Sequence, residues 1–153
     1  GGGSFTVVAG DFCSQNTQYH LFTCDIEHEV IETCKDLTKE FSVFITYVEN
    51  DSLDLLKNFN QKIDLLYLDS YDVPEYDSAE SLNVIKSQIH QQLEIEAALD
   101  KLSDDPIILL DDNDPNPKFS TGGKTRLSKW FLTEYGFKEI LGGKQSLWVK
   151  QDE

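Results

Sequence analysis

The sequence is poor in several residue types that mark particular classes of protein. It contains no methionine among its 153 residues and only three cysteines. No hydrophobic run approaches the roughly 20 residues that a membrane-spanning helix needs, and no secretory signal peptide is visible. We therefore expect a cytoplasmic protein with no membrane partner. Because methionine is absent, the opening GGGS indicates either a cut or disordered start or a linker.

The few cysteines favour reduced thiols. Cys13, Cys24 and Cys34 form an odd set without a C-x-x-C pair. Such a set is typical of a cytosolic protein whose cysteines pack as small apolar residues. A nucleophilic role is the alternative.

Basic residues are also scarce. Lysine and arginine number 13 against 28 acidic residues, which gives a formal net charge of -15. This charge disfavours nucleic acid and anionic membranes as partners, because both are polyanions. It favours a cationic ligand or a divalent metal, although acidity of this kind also serves solubility alone.

The order of apolar runs and helical patterns predicts one α/β domain over residues 1–153. Strands are predicted at 19–25, 41–50, 63–69 and 107–111, and a hairpin at 136–141 and 145–150. Helices are predicted at 4–14, 26–40, 51–59, about 79–102 and 124–135. This alternation indicates a Rossmann-like, mostly parallel sheet with helices on both faces and a C-terminal antiparallel hairpin.

Two predicted helices carry apolar stripes that we expect to face the core. In the long helix the stripe consists of Leu82, Ile85, Ile89, Leu93 and Ala97. In the helix at 124–135 we expect Leu127, Trp130 and Phe131 to point inward, and we expect Trp148 to pack as well.

Carboxylates follow two of the apolar runs directly. IDLLYLDSYD (63–72) places Asp69, and PIILLDDND (106–114) places Asp111, Asp112 and Asn113, where strands end. That edge of a parallel sheet is where open α/β folds bind ligands. Asp69, Asp112 and Asn113 offer two carboxylates and an amide oxygen, the hard ligands that Mg²⁺ prefers. Asp111 competes with Asp112 for this role, and a solvated acidic loop is the alternative.

Several segments resemble class I S-adenosylmethionine-dependent methyltransferases, and the resemblance covers nearly the whole chain. It is carried by DLLYLDSYD, EIEAALDKL (94–102), IILLDDN (107–113) and GFKEILGGKQSLWVK (136–150). The order of acids is similar to that of metal-dependent small-molecule O-methyltransferases. The resemblance implies S-adenosylmethionine as cofactor, a divalent ion such as Mg²⁺, and a small-molecule hydroxyl as acceptor.

The resemblance also assigns residues to the cofactor. Gly1, Gly2 and Gly3 resemble the end of the family's glycine-rich loop, whose preceding strand is missing here, so we expect the natural protein to be longer. Asp25 comes about 20 residues later, at the position that binds ribose hydroxyls. Asp51, with Ser52 beside it, corresponds to the adenine contact. Helix N-capping is the alternative for both Asp25 and Asp51.

The remaining assignments concern catalysis. Asp69 is assigned to both the cofactor and the reaction, and Asp72 and His90 are candidate proton acceptors. The family's lysine near position 72 is replaced by aspartate, and His90 is otherwise a helix-surface residue. Lys118 and Lys124 flank a glycine pair and either close over the substrate or are solvated.

Three other functions were weighed. A non-catalytic Rossmann-like module or fragment, acting as a binding or scaffold piece, is the main alternative. A phospho-receiver domain needs its acid pair early in the chain, whereas here the pair comes late. A nicotinamide dehydrogenase would need a G-x-G-x-x-G motif, which this sequence lacks in complete form. The oligomeric state cannot be read from the sequence.

Overall fold

A computed structural model of the chain describes residues 3–71, 82–113 and 123–151. The chain packs as two compact units, Gly1–Leu55 and Leu56–Glu153. None of the helices within the described ranges has the length and apolar content that a membrane span requires.

The first unit contains a two-stranded parallel sheet and its helices. Its elements are α1 (Ser4–Gln15), β1 (Leu21–Asp25), α2 (His28–Leu37), β2 (Ile45–Glu49) and the start of α3 (Ser52–Asn58). In the parallel pairing of β1 with β2, Leu21 lies opposite Ile45 and Asp25 lies opposite Glu49. Both strands therefore end at the same edge of the sheet.

The predicted strand at 41–50 is wrong over its first residues. Lys39–Phe44 forms 3₁₀ turns that are separated by a kink at Phe41, and β2 begins only at Ile45. The hydroxyl of Thr38 donates to the carbonyl of Cys34 where α2 ends, and the amide of Phe41 donates to the carbonyl of Thr38 over 3.0 Å. These short-range hydrogen bonds keep the chain in tight helical turns, although its aromatic content favours a strand.

The second unit contains a four-stranded sheet in the order β3-β4-β6-β5. Its elements are β3 (Ile63–Leu68), α4 (Leu82–Ala98), β4 (Leu102–Leu110), α5 (Arg126–Glu134), β5 (Phe137–Gly142) and β6 (Ser146–Lys150). β3 and β4 are parallel, whereas β6 runs antiparallel to both β4 and β5. The predicted mixed α/β fold, with mostly parallel strands and a C-terminal hairpin, is confirmed.

β4 begins earlier than the sequence predicts. The helix ends at Ala98, a 3₁₀ turn follows at Leu99–Lys101, and the strand starts at Leu102. Pro106 therefore lies inside the strand and not before it. The ladder with β3 shifts register between Ile63 and Leu65, just where Pro106 precedes Ile107. The irregularity accommodates a residue that has no N–H to donate.

The predicted core stripe of α4 is wrong for four of its five residues, and only Ala97 packs against the core. Leu82 is 65% exposed and Leu93 is 41% exposed, and Ile85 and Ile89 are exposed as well. The buried residues of α4 are Ser87, Gln88, Gln91, Glu94, Ile95 and Ala98. Apolar spacing showed that one face of this helix is apolar, but the buried face is set by polar partners elsewhere in the unit.

The core of the second unit joins the sheet to the two long helices. Ile95 and Ala98 of α4 belong to it with Phe131 and Leu132 of α5. The sheet contributes alternate residues: Leu66, Leu68, Ile108, Leu110 and Trp148. Trp148 is buried as predicted, but Trp130 is 62% exposed, so its predicted inward position is wrong.

Candidate functional site

Asp25 ends β1 in the first unit. Its carbonyl accepts from the amide of Asn50 over 3.1 Å, which holds the ends of β1 and β2 together. Its carboxylate Oδ1 accepts from the amide of Glu27 over 2.8 Å. Glu27 is the N-cap of α2. The side chain therefore supports the turn into α2 and places a negative charge at the carboxyl edge of the sheet.

Asp51 lies two residues beyond the end of β2, where Glu49 pairs with Asp25. Its Oδ1 accepts from the amides of Leu53, over 2.8 Å, and Asp54, over 3.3 Å. This is the hydrogen bonding of a helix N-cap, and Ser52 is the first residue of α3. The adenine contact assigned to Asp51 and Ser52 remains a prediction beside this structural role.

Gly3 has a backbone that requires glycine. Its φ of 84° lies in the left-handed region where α1 begins. A Cβ at this position would lie 3.0 Å from Sγ of Cys34. A side chain at this position would therefore be strained by the positive φ and crowded by Cys34 and Leu37. Gly1 and Gly2 lie outside the described residues.

In the second unit the acids after β3 and β4 are neighbours. The amide of Asp111 donates to the carbonyl of Leu68 over 3.0 Å, which places Asp69 and Asp111 side by side at the strand ends. Asp112 follows in the left-handed conformation, with a φ of 54°. The predicted gathering of acids at this edge is therefore present.

A buried lysine lies among these acids. The side chain of Lys124 is 2% exposed, and its Nζ lies 3.0 Å from Oδ2 of Asp112 and 3.5 Å from Oδ1 of Asp69. Nζ also donates to the carbonyl of Ser70 over 3.0 Å. The predicted solvation of Lys124 is wrong, closure over the substrate stays a prediction, and Lys118 lies outside the described residues.

Asn113 joins the end of β4 to two other segments of the second unit by hydrogen bonds. Its Nδ2 donates to the carbonyl of Gly143 over 2.7 Å, and its Oδ1 accepts from the hydroxyl of Thr125 over 2.9 Å. Its amide donates to the carbonyl of Lys144 over 2.8 Å. The side chain is buried, and its amide oxygen accepts a hydrogen bond from Thr125.

These contacts do not fit a Mg²⁺ ion. Mg²⁺ needs several oxygen ligands in near-octahedral geometry, but the Lys124 ammonium already contacts Asp69 and Asp112, and Asn113 bonds to Thr125. Within the described residues, no three His, Cys, Asp or Glu side chains form a group that could hold a metal. The predicted metal role of Asp69, Asp112 and Asn113 is not supported.

Tyr67 and Asp111 form a second polar pair at this edge. The Tyr67 hydroxyl donates to Oδ2 of Asp111 over 2.6 Å and lies 3.3 Å from Oδ2 of Asp69. Burial and the neighbouring carboxylates raise the pKa of Tyr67 well above its usual range. Burial opposes ionisation of Asp111, but hydrogen bonds from Tyr67, the Asp112 amide and Gln145 outweigh it, so the pKa of Asp111 is lowered.

His90 contacts this region from α4. Its Nε2 lies 3.5 Å from Oε1 of the buried Glu94, and its ring lies 5.7 Å from that of Tyr71. Glu94 Oε1 in turn accepts from the Ser70 hydroxyl over 2.6 Å. His90 is thus linked through Glu94 and Ser70 to the segment after β3. Asp72, the other predicted proton acceptor, lies outside the described residues.

Comparison with known proteins identifies the fold. The family model described as "Methyltransferase domain" matches residues 1–113. A protein from Clostridium thermocellum named as an rRNA methylase has a TM-score of 0.67 at 13% identity, covering 97% of this chain and 82% of that one. The N-methyltransferase NodS from Bradyrhizobium japonicum has a TM-score of 0.62 at 15% identity, covering 99% and 82%.

The methyltransferase PaMTH1 from Podospora anserina has a TM-score of 0.60 at 16% identity, covering 91% of this chain and 63% of that one. No curated protein matches the chain significantly. At these low identities the solved structures show a shared Rossmann-like fold, and the family model is what places the chain among relatives.

Proposed function

Because the chain belongs to the Methyltransferase domain family, we propose that it transfers a methyl group from S-adenosylmethionine to a hydroxyl of a small molecule. The observation that carries the proposal is the placement of Asp25 at the end of β1 and of Asp51 two residues beyond the end of its parallel partner β2. From this edge a carboxylate can accept hydrogen bonds from ribose hydroxyls. The binding of S-adenosylhomocysteine by NodS and PaMTH1 supports the same cofactor class.

The described residues of the first unit suit such a cofactor. Gly3 lies where α1 begins, and among the described contacts only Oδ1 of Asp25 accepts from the backbone. We assign Gly1, Gly2, Gly3, Asp25, Asp51, Ser52 and Asp69 to cofactor binding. S-adenosylmethionine, when bound, supplies an electrophilic methyl group on a sulfonium.

Deprotonation of the acceptor falls to the second unit. A hydroxyl that attacks a methyl group must lose its proton, and we assign that proton to the imidazole of His90, whose Nε2 faces Glu94. Glu94, 3.5 Å away, would stabilise the imidazolium that forms. Asp69 is assigned a role beside the reacting groups, and Asp72 is kept as the second candidate acceptor.

The acceptor class is supported by two features of the chain. The order of acids after β3 and β4 resembles small-molecule O-methyltransferases, and a net charge of -15 disfavours an RNA acceptor. We propose no divalent metal for this reaction, because two of the residues that would hold it have other partners: Asp112 contacts Lys124, and Asn113 accepts from Thr125. A single methyltransferase-like domain and a cytoplasmic location remain predictions.

Calorimetry with S-adenosylhomocysteine tests the proposal. We expect Asp25→Asn to weaken binding by about tenfold or more, since hydrogen bonds to a charged acceptor contribute about 1.5–3 kcal/mol. Asp36→Asn is the matched control, because Asp36 is exposed on α2. If the unmodified chain does not bind at millimolar ligand, the proposal fails for this chain and the non-catalytic module is favoured.

A further inference from the structure

The Lys124 ammonium is the feature of the second unit that the assigned roles do not use. Lysine is almost never fully buried unless it is paired, and here a chain with 28 acidic and only 13 basic residues buries one. The side chain is 2% exposed. Such burial of a cation requires a compensating set of acceptors around Nζ.

Those acceptors come from the ends of two neighbouring strands. An ammonium group has three donors, and Nζ has three oxygen neighbours: the carbonyl of Ser70 at 3.0 Å, Oδ2 of Asp112 at 3.0 Å and Oδ1 of Asp69 at 3.5 Å. The backbone amide of Lys124 also donates to the carbonyl of Asp112 over 3.1 Å. Lys124 therefore contacts Asp112 through both its backbone and its side chain.

The same two carboxylates are the ones that a divalent ion would need. Asp69 follows β3 and Asp112 follows β4, and these strands pair in parallel, so a cation between them can bind both. The third predicted ligand, Asn113, is buried, and its Oδ1 accepts a hydrogen bond from Thr125.

We propose that the Lys124 ammonium is the resident cation of the Asp69–Asp112 pair and excludes divalent metal ions from it. A second consequence, that methyl transfer proceeds without a metal, rests on the proposed function. The exclusion of metals does not, and it can be measured on the protein alone. The positive charge that a metal would bring is thus built into the chain.

Removal of the ammonium should convert the pair into a metal site. Lys124→Met removes the charge but keeps an unbranched side chain, and we expect it to bind Mn²⁺ at least about tenfold more tightly than the unmodified chain. Binding is measured by the loss of the free Mn²⁺ signal in electron paramagnetic resonance. Adding Asp112→Asn to the variant should abolish the gain.

Lys129→Met is the matched control. Lys129 also pairs with a carboxylate, Oε1 of Glu139 at 2.8 Å, but a single carboxylate makes a poor metal site, so this variant should gain nothing. Circular dichroism establishes that each variant is folded. Folded Lys124→Met protein that binds Mn²⁺ no better than the unmodified chain would overturn the proposal.

The unmodified chain provides a second, independent test. We expect the unmodified chain not to bind Mn²⁺ at Asp112. Saturable Mn²⁺ binding that Asp112→Asn weakens would overturn the proposal, even if Lys124→Met did not fold. Because neither measurement includes cofactor or acceptor, failure here is separate from failure to bind S-adenosylhomocysteine, which alone bears on the proposed function.

Discussion

Replacing Tyr67 by phenylalanine removes one oxygen atom from the polar edge of the second unit. The Tyr67 hydroxyl donates to Oδ2 of Asp111 over 2.6 Å, and Nε2 of Gln145 donates to that same carboxylate oxygen over 3.3 Å. The substitution leaves the ring in place, so the change in stability reports mainly the hydrogen bond to the carboxylate.

The magnitude follows from the charge and exposure of Asp111. A hydrogen bond to a charged group contributes about 1.5–3 kcal/mol. Asp111 is only partly buried, so screening by solvent favours the lower part of that range, about 1.5–2 kcal/mol. With a urea m-value near 2 kcal/mol/M, the urea concentration at the midpoint of unfolding should fall by about 0.75–1 M.

The difference between the two proteins should also depend on pH at both ends. The pKa of Asp111 is lowered on folding, so its contribution is present above its ordinary value near about 4 and is lost as pH falls. The pKa of Tyr67 is raised, so its contribution is present below about pH 10 and is lost as pH rises further. Tyr67→Phe should therefore be most costly between about pH 5 and 9.

Urea unfolding followed by tryptophan fluorescence measures this, since Trp148 is 4% exposed in the same unit. Tyr135→Phe is the control, because Tyr135 is exposed and should change stability by less than about 0.5 kcal/mol. A cost of Tyr67→Phe no larger than that control, or one that stays constant from pH 3 to 11, would refute the assigned hydrogen bond.

Two further predictions test the packing and the backbone. Ile95→Ala, at 0% exposure, should destabilise the protein by about 2–5 kcal/mol in urea unfolding, whereas Leu93→Ala should cost about 1 kcal/mol or less; equal costs would contradict the buried face of α4. Gly3→Ala should cost about 1–2 kcal/mol because of its φ of 84° and weaken binding of S-adenosylhomocysteine in calorimetry. Gly143→Ala, whose Cβ would meet nothing nearer than 3.9 Å, should change neither stability nor binding. A Gly3→Ala variant with equally small effects would contradict the requirement for glycine at position 3.

Much of the fold was predictable because strand and helix patterns are local. The runs at 63–69 and 107–111 lie within β3 and β4 apart from their terminal acids, and the hairpin is present as predicted. The placement of Asp25, Asp69 and Asp111 at strand ends was likewise predictable, because apolar strands stop where charges begin. Which side of a helix is buried was harder to predict from the sequence.

α4 illustrates the reason. Its apolar residues recur at spacings of three and four, but Gln91 and Glu94 are buried instead. Gln91 accepts from Ser128, and Glu94 accepts from Ser70. Those partners come from distant parts of the sequence. Periodicity identifies a face, and only the groups that pack against it decide whether that face is the core.

By itself the sequence determined the α/β class, the succession of strands and helices along the chain, and the gathering of acids at strand ends. These depend on local patterns and on the shared direction of parallel strands. The tertiary structure alone decided what those acids bind. Lys124 is separated in sequence from Asp69 by the whole of α4 and β4, yet its ammonium lies 3.5 Å from that carboxylate. A cation and an anion can neutralise each other only when the fold brings them together, and no pattern along the chain records that distance.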